Sequence, residues 1–421
     1  MIVIVAGVGI GFPDGMAATA RITGYARGLV ASGFDVLVLC LGASEASAEA
    51  AVNTRVRGIS GGVRFQYACG SIVRSSSFWQ RRRSRMAGLA GAARQIGREG
   101  RAGQIEAILL YSQRSLDAFV LRVVSDKVGA VYMADVSEIP YQSLRPGVLE
   151  RLRLTVYERT FYRWFDAAVV ISEPLRRRVI RLGKPGIAVC KAPVIVDTDE
   201  FRRTPAASGP GRKVVMYSGT LDQEKDGVID LMRAFRMVAE EVPDSHLTLV
   251  GDASWGTRIP EFRTIAEKLQ IADRVTLTGR VARNGLPQYL AQASVLVLAR
   301  PRSPQADAGM PTKVAEYLAS GVPTVLTRTG DIVAFVEDGV SAYLVPPEDV
   351  PALAAAVRHV LVNTAEAESI GHRGREVALE HFDYRVVGGS VAAFIAHLRE
   401  RRQRRGVAEW PRRGSDGEGQ P

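Results

Sequence analysis

The sequence predicts an α/β protein made of two doubly wound domains. Its 421 residues exceed what one hydrophobic core usually serves, so two domains are expected. Short apolar runs alternate with longer amphipathic stretches, which indicates parallel strands joined by crossover helices. A Pro/Gly/Ser-rich segment at 204–211 interrupts this alternation and is typical of an interdomain linker.

These observations set the predicted domain limits. The first domain covers residues 1–200 and the second covers residues 201–381. An amphipathic helix over 382–403 follows, and we expect it to pack back towards the first domain. Residues 404–421 are polar and rich in Arg and Gly, so we expect a disordered tail.

Each predicted strand is a short apolar run bounded by turn residues. In the first domain these runs are Ile2–Ala6, Asp35–Leu39, Ala107–Leu110, Val131–Met133, Ala167–Ile171, Ile187–Cys190 and a short Pro193–Val196. In the second domain they are Val214–Tyr217, His246–Val250, Val275–Leu277, Ser294–Leu298, Thr324–Thr327 and Ala342–Val345. Amphipathic segments such as Ala17–Ser32, Ser115–Lys127 and Val228–Val242 supply the helices between them.

Composition and charge narrow the class of protein. Three widely spaced cysteines show no metal-ligand spacing, which favours a reduced, cytoplasmic setting. No basic leader precedes the first strand, and no apolar run approaches the ~20 residues that span a bilayer. The net charge of +11 favours anionic partners such as nucleoside diphosphates or acidic lipids. No zinc-finger, RNP or recognition-helix pattern is present, so nucleic acid is not an expected partner.

The leading candidate for a functional site is the stretch from Gly309 to Pro323. It follows a predicted buried strand, and its helix is expected to begin near Pro311 or Thr312. The free N–H groups of the first turn, with Thr312 and Lys313, suit an anion such as a diphosphate. Glu316 lies one turn further on, where it can accept hydrogen bonds from a ribose. The alternative is an ordinary βα turn with both charged side chains solvated.

Other strand ends of the second domain carry small and charged residues. Gly219 and Thr220 follow the first of these strands and precede Lys225, which are the parts of a phosphate loop. The spacing differs from that of a P-loop, so a P-loop NTPase is not expected. Asp252, Arg280 and Val281 stand at the ends of the next two strands, where a base or phosphate could bind.

The glycines after the first strand do not form a dinucleotide-binding fingerprint. Phe12 occupies the position of the third glycine, and Asp35 begins the second strand instead of following it. We predict instead a flexible loop over residues 11–18, in which Gly15 and Ala17 leave room for a ligand. Arg21 stands one turn into the next helix.

Two acidic segments of the first domain have competing interpretations. Asp135 and Glu138 follow a strand in the segment 135–140, so they are candidates for contact with an acceptor, or alternatively they cap a helix. Asp197-Thr198-Asp199 is a D-x-D triplet, which holds a metal in some sugar transferases. Here it closes the Pro193–Val196 strand ahead of the linker, so we interpret these acids as turn formers and predict no metal site.

The segment Arg74–Arg101 is strongly basic. It holds eight arginines and one acid, interleaved with Phe78, Trp79, Met86 and Leu89. A basic helix with such apolar anchors favours contact with an anionic membrane surface. The alternative is a solvated loop and helix.

Taken together, these segments resemble the GT-B glycosyltransferases, specifically the retaining family 4. Ser218-Gly219-Thr220 with Lys225 is similar to the family's G-R-L-x-x-x-K segment, and Val250–Asp252, Gly279–Val281 and Met310–Pro323 follow in the family's order. Asp338-Gly339 and Leu344–Pro347 complete the pattern. The resemblance implies two Rossmann-like domains that face each other across a cleft.

The resemblance also implies residue roles. Lys225 would bind the donor diphosphate and Glu316 the ribose, while Arg280 and Val281 would flank the base. The phosphate and sugar would be lined by Met310, Pro311, Thr312 and Lys313, and the loop over residues 11–18 would face the diphosphate from the other domain. The implied activity is metal-independent, retaining transfer of a sugar from a UDP- or GDP-sugar to a glycan, lipid-linked or small-molecule acceptor, with no further cofactor.

Three departures from the family pattern keep alternatives open. Ala308 stands where the E-x7-E motif has its first acid, Thr220 replaces the phosphate-loop arginine, and the first domain lacks the histidine often found near the acceptor. Asp135 or Glu138 would stand in that histidine's place. One alternative is a catalytically silent GT-B partner that binds nucleotide sugars. Another is an epimerase or phosphorylase-like enzyme, which differs in whether an acceptor is required.

Overall fold

The computed structural model describes residues 1–49, 51–139, 148–201, 212–253 and 256–408. The predicted linker at 204–211 and the last residue of the segment 135–140 lie outside these ranges. Two sheets confirm the predicted fold class of two doubly wound α/β domains. Among the described residues, no helix combines the length and the apolar character needed to cross a bilayer.

The first sheet belongs to the N-terminal half of the chain. Its strands are β1 (Ile2–Ala6), β2 (Val36–Cys40), β3 (Arg57–Ser60), β4 (Val63–Tyr67), β5 (Ala107–Tyr111), β6 (Val131–Val136), β7 (Ala167–Val170) and β8 (Ala188–Lys191). Their spatial order is β3-β4-β2-β1-β5-β6-β7-β8, and all neighbours are parallel except the β3–β4 pair. The central strands are fully buried because helices cover both faces of the sheet.

The second sheet is parallel throughout. Its strands are β9 (Lys213–Ser218), β10 (Ser245–Val250), β11 (Val275–Gly279), β12 (Val295–Leu298), β13 (Thr324–Thr327) and β14 (Tyr343–Val345). Their spatial order is β11-β10-β9-β12-β13-β14. The order reverses between β9 and β12, which makes the neighbouring strand ends a topological switch point where ligands bind in such sheets.

The helices connect these strands. In the first half they are α1 (Ala17–Ala31), α2 (Phe78–Ala102), α3 (Ser115–Val128), α4 (Val148–Thr160) and α5 (Glu173–Leu182). In the second half they are α6 (Gln223–Asp226), α7 (Val228–Glu241), α8 (Ile259–Lys268), α9 (Leu286–Ala291), α10 (Pro304–Ala308), α11 (Thr312–Ser320), α12 (Val350–Val362), α13 (Thr364–His381) and α14 (Tyr384–Ala408).

The structure differs from the sequence predictions at three places. The β3–β4 hairpin was not predicted, and it turns through Gly61 and Gly62, both of which have positive φ. Residues 193–196 do not form the predicted strand, because Val196 alone makes a bridge, to Asp383. Helix α14 continues to Ala408, where the sequence predicted disorder from residue 404, and residues 409–421 lie outside the described ranges.

Helix α14 returns to the N-terminal half and packs against α1. The chain crosses back at Phe382–Tyr384, where Val196 and Phe382 share a backbone hydrogen bond of 2.9 Å. Val387, Val391 and Ile395 of α14 are buried in the same core as the apolar face of α1. Gly28 and Gly388 meet at the crossing, so the two backbones touch.

This close crossing predicts opposite effects at two adjacent glycines. A Cβ at position 388 would lie 2.4 Å from Gly28 Cα, so we expect Gly388→Ala to lower the free energy of unfolding by about 1–3 kcal/mol. Nothing lies within 4 Å of a Cβ at position 389, so Gly389→Ala should raise it by about 0.5–1 kcal/mol. Urea unfolding of both variants measures the difference, and equal effects would contradict the close packing.

Candidate active site

The carboxyl ends of the two sheets face each other across a cleft of about 2600 Å³. The residues that end β1, β5, β6 and β7 form its N-terminal wall, and those that end β9, β10, β11 and β12 form its C-terminal wall. Every predicted site residue lines this cleft: Gly15, Ala17, Arg21, Asp135, Glu138, Gly219, Thr220, Lys225, Asp252, Arg280, Val281, Met310, Pro311, Thr312, Lys313 and Glu316. Parallel strands place their ends at one edge of a sheet, so residues far apart in sequence converge.

The loop after β9 packs closely on the lysine that opens α11. Gly219 has φ of 151°, and a Cβ there would lie 1.9 Å from Lys313 Cε, so only glycine fits. The loop then enters α6, whose first turn is capped by Asp222, which accepts a hydrogen bond of 2.8 Å from the Lys225 N–H. The Lys225 side chain is exposed to the cleft and makes no ion pair with any described residue.

Lys313 is not a free cation, because a buried acid neutralises it. Its Nζ lies 2.9 Å from Asp226 Oδ2, and the Asp226 side chain is fully buried. The Tyr217 hydroxyl lies 2.8 Å from the same oxygen. Burial acts to raise the pKa of Asp226, but the charge and hydrogen bond of Lys313 outweigh it, so the pKa lies below its usual value. Asp226 was not predicted as a site residue, although it directly follows Lys225.

Helix α11 presents its N-terminus to the cleft as predicted. Pro311 is the residue before the first turn, and Thr312 and Lys313 open the helix. Glu316 is 5% exposed and its Oε1 forms an ion pair with Nη1 of Arg283, a residue that follows β11. The sequence analysis did not single out Arg283. Its partner Glu316 therefore keeps Oε2 for a ligand, while Oε1 is already paired.

Local hydrogen bonds hold the loops that follow β10 and β11. Asp252 Oδ1 accepts from the N–H groups of Ala253 and Arg258 at 2.7 and 2.8 Å, so this carboxylate shapes its own loop. Arg280 donates from Nη2 to the Ala253 carbonyl at 2.5 Å. Val281 is half-buried against the core. The loops after β10 and β11 therefore line the cleft beside the N-terminus of α11.

On the opposite wall, hydrogen bonds hold the loop over residues 11–18. The Phe12 N–H donates to the Tyr67 hydroxyl at 3.1 Å, and the Asp14 N–H donates to Asn53 Oδ1 at 3.0 Å. Thr19 Oγ1 donates to the Gly11 carbonyl at 2.8 Å. The sequence predicted a flexible loop. In the structure these hydrogen bonds hold residues 11, 12 and 14, while residues 17 and 18 belong to α1.

Asp135 and Arg21 form a buried ion pair with each other, which corrects the interpretation of Asp135 as a group that meets the acceptor. Arg21 Nε lies 3.1 Å from Asp135 Oδ2, and the Tyr25 hydroxyl donates to that oxygen at 2.7 Å. The remaining Arg21 nitrogens donate to the carbonyls of Pro193 and Ala192 at 2.7 and 3.0 Å. Asp135 is thus occupied in holding α1 against β6, and it is not available as a free base.

Glu138 remains the acidic candidate on the N-terminal wall. Its side chain is exposed, and it forms no ion pair with any residue in the described ranges. The Tyr111 and Ser137 hydroxyls, 3.0 Å apart, lie on the same wall and extend its polar surface. The D-x-D acids are elsewhere: Asp197 pairs with Arg27 at 2.7 Å, and Asp199 pairs with Arg385.

One further cation in the cleft was missed by the sequence analysis. Arg300 follows β12, lines the cleft and is only 6% exposed. Its signal in the sequence is weak, because an arginine after an apolar strand is ordinarily solvated. Its burial, and its lack of an ion-pair partner among the described residues, become evident only when the strand ends are assembled.

Comparison with known proteins identifies the class. Residues 17–191 match the family model described as "Glycosyl transferase 4-like domain", and residues 212–363 match "Glycosyl transferases group 1". Sucrose-phosphate synthase from Thermosynechococcus elongatus has the same fold, with a TM-score of 0.73, 18% identity, and coverage of 95% of this chain and 99% of that one. Anabaena HepE in complex with UDP-glucose aligns with a TM-score of 0.68 and 15% identity, over 94% of this chain and 99% of that one.

The chain belongs to the GT-B glycosyltransferases, and its similarity to family 4 is confirmed. It is 30% identical over 247 residues to the GDP-mannose-dependent alpha-(1-6)-phosphatidylinositol monomannoside mannosyltransferase of Mycolicibacterium smegmatis, covering 56% of this chain and 64% of that protein. The putative colanic acid biosynthesis glycosyltransferase WcaL of Salmonella typhimurium is 26% identical over 57% of this chain and 58% of its own length. The match therefore spans less than two thirds of each of these relatives.

Proposed function

We propose that this protein is a retaining, metal-independent glycosyltransferase that moves a hexosyl group from a GDP- or UDP-sugar to a glycan or lipid-linked acceptor. One observation carries the proposal: Lys225 and the N-terminus of α11 stand free on one wall of the cleft, opposite the polar wall that holds Glu138. This arrangement suits a diphosphate on the C-terminal wall and a hydroxyl-bearing acceptor on the N-terminal wall. Relatives that use GDP-mannose or bind UDP-glucose support the donor class.

In the proposed reaction, the bond between the anomeric carbon and the distal phosphate oxygen breaks. The acceptor oxygen bonds to the same face of that carbon, and its proton passes to the leaving diphosphate. Lys225 and the first-turn N–H groups of α11 stabilise the negative charge that grows on the diphosphate. Glu138 orients the acceptor hydroxyl, and the cleft walls hold the acceptor beside the leaving diphosphate on that same face.

A donor screen tests this proposal. The protein is incubated with GDP-mannose, GDP-glucose, UDP-glucose, UDP-galactose and UDP-N-acetylglucosamine, each with and without a membrane-lipid acceptor extract, and release of GDP or UDP is measured. We expect one donor to be turned over only when the acceptor is present, and turnover to persist in EDTA. NMR of the product should show the donor's anomeric configuration. Inversion, or full dependence on a divalent metal, would contradict the mechanism.

A silent GT-B partner is the second candidate, and the paired charges in the cleft favour it. Lys313 is neutralised by Asp226, Glu316 is paired with Arg283, and Thr220 adds no charge. A silent protein would bind a nucleoside diphosphate in calorimetry and release none from any donor in the screen. Acceptor-independent conversion of the donor would instead indicate an epimerase.

We also propose that α2 binds the cytoplasmic face of an anionic membrane, which would bring the cleft to lipid-linked acceptors. Trp79 and Phe78 are 70% and 57% exposed at the start of α2, and the next turn exposes Arg81, Arg82 and Arg83. Aromatic anchors beside a basic turn suit an acidic headgroup layer. Two other arginines of the basic segment face inwards: Arg74 donates to the carbonyls of Ala43 and Gly9, and Arg85 pairs with Asp117.

Charge removal on α2 should weaken membrane binding measurably. Each surface arginine contributes about 1 kcal/mol to binding an anionic membrane, so the double variant Arg81→Ala/Arg83→Ala should bind about thirtyfold more weakly. Co-sedimentation with phosphatidylglycerol vesicles measures this. The matched control, Arg263→Ala/Lys268→Ala, removes two exposed charges from α8 in the other half of the chain and should bind like the wild type. An equal loss of vesicle binding in both double variants would show that binding depends on the net charge alone, and the proposed role of α2 would be wrong.

A further inference from the structure

Arg300 is a buried cation with no acidic partner. Its Nη2 donates to the Gln305 carbonyl at 3.1 Å, while its Nε has no hydrogen-bond partner. No carboxylate within the described ranges forms an ion pair with it. Burial lowers the pKa of the guanidinium, and the more distant acids Asp226 and Glu138 only partly offset this effect.

The buried Arg21 and the partly buried Lys313 of the cleft each have an acidic partner. Arg21, 3% exposed, pairs with Asp135, and Lys313 pairs with Asp226. A buried charge without a counter-ion costs free energy, and folded proteins usually pair it or remove it. An unpaired donor group in a cleft wall is therefore a signature of a site that an anion completes.

The position of Arg300 indicates which anion would complete this site. A Cβ on Gly309 would lie 3.7 Å from Arg300 Nη2, so the guanidinium lies beside the residue that precedes the Met310–Lys313 turn. Asp226, which pairs with Lys313, and Asp307 are close enough to act electrostatically on Arg300 without forming an ion pair with it. The exposed Glu138 of the N-terminal wall lines the same cleft and is close enough to act electrostatically on Arg300. Arg300 thus lies beside the turn proposed to bind the diphosphate and within electrostatic reach of Glu138 on the N-terminal wall.

We propose that Arg300 binds the sugar-bearing phosphate of the donor and so supplies the cation that Thr220 does not supply. The inference rests on the proposed function, since it assigns a further residue to the same donor site. A guanidinium can donate hydrogen bonds to a phosphate from more than one nitrogen, and Arg300 lines the cleft with donor capacity beyond its bond to the Gln305 carbonyl. The cation proposed to bind this phosphate thus lies at the end of β12, whereas the arginine of the family pattern would lie in the loop after β9, at the position of Thr220.

The test compares nucleoside diphosphate with monophosphate of the same base, GDP with GMP and UDP with UMP, by calorimetry on the full chain. We expect Arg300→Ala to weaken binding of the diphosphate by about 10- to 100-fold and to change binding of the monophosphate by less than about twofold. The affinity of Arg300→Lys for the diphosphate should lie between those of Arg300→Ala and the wild type. Arg263→Ala, on the exposed face of α8, is the control and should match the wild type for both ligands.

Thermal unfolding separates this role from a structural one. In Arg300→Ala, the rise in melting temperature caused by the nucleoside diphosphate should shrink, while the rise caused by the monophosphate should stay close to that of the wild type. Equal weakening of monophosphate and diphosphate binding, or a diphosphate-induced rise in melting temperature equal to that of the wild type, would overturn the assignment. A wild-type protein that binds neither GDP nor UDP would overturn both this inference and the proposed function. If the wild type binds the diphosphate and Arg300→Ala keeps the same ratio of diphosphate to monophosphate affinity, the inference alone would be overturned.

Discussion

We expect Lys225→Ala to lower kcat by about 10²- to 10³-fold and to leave the fold intact. The magnitude is that of removing one preorganised group that stabilises charge developing in the transition state. The fold is unaffected because the Lys225 side chain is exposed and forms no ion pair with any described residue. The two readouts are steady-state release of nucleoside diphosphate from the donor found in the screen and the urea midpoint of unfolding.

Two controls sharpen this experiment. Lys268→Ala removes an equally exposed lysine of the same domain from outside the cleft, and its kcat should equal that of the wild type. Lys225→Arg keeps the positive charge on the same turn and should recover part of the lost rate. If Lys225→Ala turned over donor at the wild-type rate, the diphosphate would have to bind elsewhere, and the proposed reaction would be wrong.

The parallel sheets could be predicted because their strands are nearly continuous apolar runs. Val36–Cys40 and Val295–Leu298 are buried on both faces, so hydrophobicity alone marks them. The edge hairpin escaped prediction because β3 is polar and exposed, with the sequence Arg-Gly-Ile-Ser. The alternation in Val63–Tyr67 and the glycine pair before it were available signals.

The lining of the cleft could also be predicted, but the partners of its charges could not. A strand followed by small and charged residues indicates a position at the carboxyl edge, and this places Lys225, Lys313 and Glu138 in the cleft. Whether a charge is free depends on contacts between distant segments. Asp226 and Lys313 are 87 residues apart, and Arg21 and Asp135 are 114 residues apart. No local pattern reports such a pairing, so Asp135 was interpreted as an acceptor contact and Arg300 was overlooked.

Replacing Asp135 with alanine should lower the free energy of unfolding, and its main effect should be on stability and not on catalysis. Its carboxylate is fully buried against Arg21, so truncation leaves a buried guanidinium without a counter-ion and should cost about 3–5 kcal/mol of unfolding free energy. The Tyr25 hydroxyl loses its acceptor as well. Because folded proteins are stable by only about 5–15 kcal/mol, the urea midpoint should fall steeply.

A double-mutant cycle shows whether this cost comes from the ion pair. The cycle compares Arg21→Met, Asp135→Leu and the variant that carries both substitutions. Because both charges are absent from the double variant, it should be more stable than the sum of the two single effects predicts. Glu138→Gln is the matched comparison on the same wall: its exposed side chain should leave the urea midpoint unchanged and alter the KM for the acceptor. A stable, inactive Asp135→Ala protein would mean that Asp135 contacts the acceptor directly. The acidic group that meets the acceptor is therefore expected to be Glu138, because Asp135 already balances the charge of Arg21.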